Sequence, residues 1–231
     1  MTVLRAAHEA SWRGLAFALL LAAVLPATRA EPRFVQCEAT DVQVAASNAK
    51  DRADACAGAR DALGFFAAAG LPRVEPLSIE IVPKLPEAAG TTAVGCYVHG
   101  PRRVFVLGHA VFARRSRWLQ VPIGRKAHRS IVAHEVAHQL TACNDGWPDM
   151  SWHGKEYVAY VTMFATMDPV LRERILLAVP GTGFETVGHI TPLSLAFDPE
   201  GFAADAYRHY LKPGNGKSFL RSVVEGRALA D

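Results

Sequence analysis

Residues 130–140 read Ser-Ile-Val-Ala-His-Glu-Val-Ala-His-Gln-Leu, an unbroken apolar helical run with three ionisable side chains set into it. Ile131, Val132, Val136 and Leu140 supply the apolar stripe of a buried helix. Ionisable groups on such a helix are costly unless a partner compensates them, so the fold must bring one. Positions i and i+4 of a helix lie one above the other on one face. His134 and His138 can therefore aim two imidazole nitrogens at a single cation, with Glu135 rotated about 100° away, beside it. This is the H-E-x-x-H zinc pattern, in which Zn²⁺ is the compensating partner and the glutamate handles the proton of a water.

The first thirty residues read as an address. Arg5 and Arg13 lie in the leading segment, and Leu15 to Leu25 is an apolar core of 11 residues. Thr28-Arg29-Ala30 resembles a small-x-small cleavage site. The run is too short for a comfortable transmembrane helix, and no later segment is long and apolar enough to span a bilayer. The expectation is a signal peptide over 1–30, cleaved near Ala30, and a secreted or periplasmic domain over 31–231. About 200 residues then remain, enough for a single domain with a real core. The formal charge of +3 falls to about +1 without the leader; that balance does not argue for a nucleic-acid partner.

Cys37, Cys56, Cys96 and Cys143 all lie beyond the leader. An even count in an exported chain suggests two disulfides. Pairing sequence neighbours gives Cys37–Cys56 and Cys96–Cys143, each closing a modest loop.

Phe34 to Cys37 reads as a short strand. A helix follows from a Ser47 cap to about Ala69, ended by Gly70 and Pro72. Leu77 to Val82 alternates as a half-buried strand does, and further strands are expected at 94–98 and 104–107. The metal helix ends near Ala142. A second periodic segment runs from Lys155 to Ala165, a third helix from Asp168-Pro169 to about Leu177, and others near 203–211 and 219–228. The class is α+β. From Arg102 to Arg129 the chain carries eight Arg or Lys and no acid. Either an electropositive lip borders the site, or these cations pair with acids elsewhere, as charge runs usually do.

A catalytic zinc takes three protein ligands and leaves a position for water. The metzincin arrangement needs Gly and His where this chain has Thr141 and Asn144, and is excluded. Glu156, 18 residues past His138 on the next expected helix, is the preferred third ligand, with His153 and Asp149 as rivals. Tyr157, Tyr160, His153 and His189 are candidates to stabilise a developing oxyanion, and nothing in the sequence selects among them.

With these residues in place, the stretch from about 94 to 167 resembles the gluzincin metallopeptidases, the thermolysin-like clan. There the H-E-x-x-H helix is followed by one whose glutamate completes the site. Trp152-His153-Gly154-Lys155-Glu156-Tyr157-Val158-Ala159-Tyr160 looks like the W…E…A…Y glutamate helix of many such enzymes, including small bacterial ones. The resemblance implies a zincin-like fold. A small mixed or antiparallel sheet would pack on a long helix and on the H-E-x-x-H helix, followed by the glutamate helix and further C-terminal helices. It also implies a Zn²⁺ held by His134, His138 and Glu156, with Glu135 as general base on a peptide or protein substrate. Many members place an Asp four residues after the glutamate to orient a ligand histidine; here that position is Tyr160. Other readings are a zinc amidase acting on cell-wall peptides and a catalytically silent, zinc-stabilised binding protein.

Overall fold

Helix α1 (Ala49–Ala68) begins where Asn48, in extended conformation, accepts a hydrogen bond from the Asp51 amide through its side chain, at 2.8 Å. Asn48, rather than the expected Ser47, is thus the cap. The computed structural model describes residues 31–38, 40–71, 76–142 and 150–229. The expected leader, Cys143 and the rival ligand Asp149 lie outside them. From Pro32 onward the chain forms one compact unit.

Five strands form the main sheet. They are β1 (Val35–Gln36), β2 (Val42–Ala45), β3 (Leu77–Val82), β4 (Gly95–Val98) and β5 (Arg103–Leu107), in the spatial order β1-β2-β3-β5-β4. β2, β3 and β5 run parallel, and the outer strands β1 and β4 run antiparallel to their neighbours. The register lines Val44 up with Ile79 and Ile79 with Val104. Val42, Leu77 and Val106 fall on the same face by the two-residue repeat, and all six are buried. That face receives α1 and α3 (Arg125–Ala142), which carries the metal motif and also borders β4. The two helices cross at Gly58, where a Cβ would stand 2.5 Å from the Arg129 carbonyl oxygen and 2.8 Å from the Val132 Cβ. The sheet is therefore mixed, and among the described residues the class is α+β with eight helices.

Between β5 and α3 lie a single helical turn, α2 (His109–Phe112), and a two-stranded hairpin, β6 (Arg117–Trp118) and β7 (Val121–Pro122). After α3 come α4 (Trp152–Thr166), α5 (Pro169–Ala178), α6 (Pro192–Phe197), α7 (Pro199–Leu211) and α8 (Gly216–Val224). α4 packs along α3 on one side and against α7 and α8 on the other. Its buried Tyr157, Phe164 and Met163 fill that second layer, with Tyr157 Oη 2.9 Å from His209 Nδ1 and the Phe164 ring stacked on Tyr207.

One of the two expected disulfides is formed among the described residues. Cys37 and Cys56 are bonded across 19 positions, tying the β1–β2 corner to α1. Cys96 forms none with a described residue. No described helix is long and apolar enough to cross a membrane.

Candidate metal centre

The two histidines project from the middle of α3, and the glutamate from the second turn of α4, whose start is fixed by Ser151 accepting the Gly154 amide at 3.1 Å. The two helices lie side by side, which brings three donor atoms to one point. His134 Nε2 and His138 Nε2 are 3.1 Å apart; Glu156 Oε2 is 3.5 Å from the first and Oε1 is 3.4 Å from the second. A zinc held tetrahedrally at about 2.0–2.2 Å separates adjacent ligand atoms by about 3.3–3.6 Å. The two glutamate distances fall in that range and the His134–His138 distance is 0.2 Å short of it, and two imidazole nitrogens with one carboxylate are a donor set that zinc takes. All three side chains are largely buried yet reach solvent, at 12%, 17% and 19% relative exposure for His134, His138 and Glu156.

Burial, followed by the neighbouring His138, holds His134 well below the ordinary imidazole range. Its ring is therefore neutral, as a metal ligand must be. Glu135 is pushed well above the usual carboxylate range, first by burial and then by Glu156. It lies beside the cluster and not in it.

The rival ligands fare differently. His153 is buried with its Nε2 3.4 Å from Ser151 Oγ, and it is not part of the cluster. Of the four candidate oxyanion donors, Tyr157 is committed to His209 and His189 stands exposed on a short 3-10 turn. Tyr160 is the one packed on the centre, its ring centroid 4.6 Å from that of His134. Burial, then Glu156, Glu135 and Glu200, raises its phenol above the ordinary value, so it stays a hydrogen-bond donor.

Half of the basic stretch pairs with acids on other elements. Arg103 binds Glu80, Lys126 binds Asp168, and Arg129 grips Asp61 with two bonds of 2.6 and 2.7 Å. Arg115 donates to the carbonyls of Thr92 and Ala93.

A second group, Asp51, Asp54 and His128, is also tight enough for an ion. Arg125 already fills that role, with contacts of 2.7 Å to Asp51 and 2.6 Å to Asp54. The His128 ring lies between Asp54, at 3.2 Å, and the Leu107 carbonyl, at 2.9 Å. Sequence spacing did not reveal this cluster, because 74 residues separate Asp54 from His128.

A family profile described only as a family of unknown function (DUF6639) matches residues 42–231. No curated protein and no solved structure matches the chain.

Proposed function

The chain belongs to the DUF6639 family, and we propose that it is a zinc-dependent peptidase of gluzincin type, exported from the cell. The observation that carries this reading is the convergence of His134, His138 and Glu156 within 3.1 to 3.5 Å of one another from two adjacent helices. The zincin-like reading of the fold draws support from the strand beside the metal helix. Leu107 N bonds to Val94 O, which makes 94 and 107 a hydrogen-bonded pair. By alternation, the peptide groups of Gly95 then turn away from β5 toward the outer edge of the sheet. An extended peptide can add there as a further strand.

Zinc bound by the three ligands would lower the pKa of a coordinated water toward neutrality and polarise a substrate carbonyl. In this reading Glu135 would take the proton from the attacking water and return it to the leaving amine. Tyr160, whose ring packs on His134, is the candidate donor for charge developing on the carbonyl oxygen.

Metal analysis and a mixed peptide library test the proposal together. Wild type is expected to hold one zinc and to cleave a subset of peptides. Glu135→Gln keeps the zinc and loses turnover by about 10²–10⁴-fold, whereas Glu156→Ala loses the zinc. A Glu156→Ala protein with full zinc would remove the third ligand from the scheme, and wild-type turnover in Glu135→Gln would remove the peptidase.

A further inference from the structure

Gly95 opens β4, the strand alongside the metal helix, and its backbone does not require glycine. Its φ is not among the positive values, and inside a strand glycine is a poorer choice than alanine on entropy alone. What excludes a side chain is Glu135. A Cβ on Gly95 would stand 2.5 Å from Glu135 Cγ, 2.7 Å from Cδ and 2.7 Å from Oε1. Non-bonded carbons come to rest about 3.5–4.0 Å apart, so Glu135 cannot hold this position beside a methyl at residue 95 without shifting. The Glu135 side chain therefore lies across the bare Cα of the edge strand, buried at 5% relative exposure.

We propose that Gly95 is a positioning residue for Glu135. By carrying no side chain, it lets the edge strand close over the glutamate and seat the carboxylate beside the His134–His138–Glu156 cluster. The next residue cannot share the task. Cys96 pairs with Phe105, on the opposite face of the sheet from Gly95 and its partner Val106. A methyl at position 95 leaves two outcomes. Either Glu135 keeps its place under strain, or it swings out and the carboxylate leaves the cluster. The contact itself is independent of chemistry, while its consequence for turnover rests on the peptidase reading above.

Four proteins test this: wild type, Gly95→Ala, Glu135→Ala and the double variant, each compared by thermal melting, zinc content and turnover. Against Glu135, Gly95→Ala is expected to lower the melting midpoint by about 2–10 °C, the range for overpacking a buried contact. Against Glu135→Ala the sign reverses, and alanine raises the midpoint by roughly 1–3 °C because it suits a strand better than glycine. Zinc stoichiometry is unchanged, since residue 95 supplies no ligand. Turnover of peptides cut by wild type falls about 10–100-fold with KM little altered, as a misplaced general base requires. An unchanged midpoint with turnover lost at full zinc also supports the seat, because the carboxylate has then moved. Equal changes in both backgrounds would overturn it, and so would an unchanged midpoint with wild-type turnover. If wild type cleaves nothing, the sign reversal still decides the seat, and only the peptidase reading fails.

Discussion

His134 offers Nε2 to the cluster, while its Nδ1 is buried without a hydrogen-bond partner among the described residues. In most zinc sites that second nitrogen donates to a carboxylate or carbonyl, which fixes the ring. Here the Tyr160 ring, tilted 55° and 4.6 Å from the imidazole, does so by packing. Tyr160→Phe keeps the packing face and is expected to keep zinc affinity, losing turnover through the missing hydroxyl. Tyr160→Ala is expected to weaken zinc binding by about 10–100-fold, read by competition with a chromogenic chelator. Equal affinity in wild type and Tyr160→Ala would show that the ring is held by something else. The i, i+4 spacing of His134 and His138 was readable because it is a local property of one helix, whereas Glu156 was reached only through its placement on the next expected helix, and the three come together in the fold. The sequence did not identify the job of Tyr160, because that depends on how α4 is rotated against α3.

At the scale of elements, the tie between α1 and the start of α3 governs how the metal helix sits. Asp51, Asp54 and Asp61 on α1 hold Arg125, His128 and Arg129 on α3. Removing Arg125 leaves Asp51, only 4% exposed, without its cation. Arg125→Ala is expected to cost roughly 3 kcal/mol in urea unfolding. The pH dependence follows from Asp51. Burial raises its carboxyl, but the bonds from Asn48 and Arg125 outweigh it and hold the group below its ordinary value of 3.8. A depressed acid adds stability that is present above the unfolded value and lost as pH falls through the folded one. The melting midpoint should therefore drop below about pH 4, and that acid limb should flatten in Asp51→Asn. The pairing of this basic stretch with acids on other elements was open in the sequence, since charge sign gives no address. The strand Leu77–Val82 was legible to the residue because its alternation is regular. β2, paired in parallel across a helical crossover, carries the alternation Val42-Gln43-Val44 over too few residues to stand out.

For the molecule as a whole, class and element order were readable, and the layering was not. The sequence gives a long helix, then strands, then the metal helix. It does not say that α4 serves both the sheet-side helices and the α7–α8 layer, because pairwise packing of distant helices has no short-range signature. The Cys37–Cys56 bond followed from cysteine count and loop length, whereas one-residue precision at the α1 cap required the backbone itself. The close crossing at Gly58 has a practical corollary for anyone wishing to toughen this protein. Alanine in place of an exposed helical glycine usually strengthens a fold, and Gly64, with nothing within 4 Å of its notional methyl, should gain about 0.5–1 kcal/mol that way. The same exchange at Gly58, six positions earlier on the same helix, is expected to cost about 1–3 kcal/mol and to loosen zinc. The added methyl pries Arg129 and Val132 outward one turn ahead of His134. At these two glycines of α1 the sign of the exchange is thus set by whether the methyl meets the crossing, and melting of the two variants would show it.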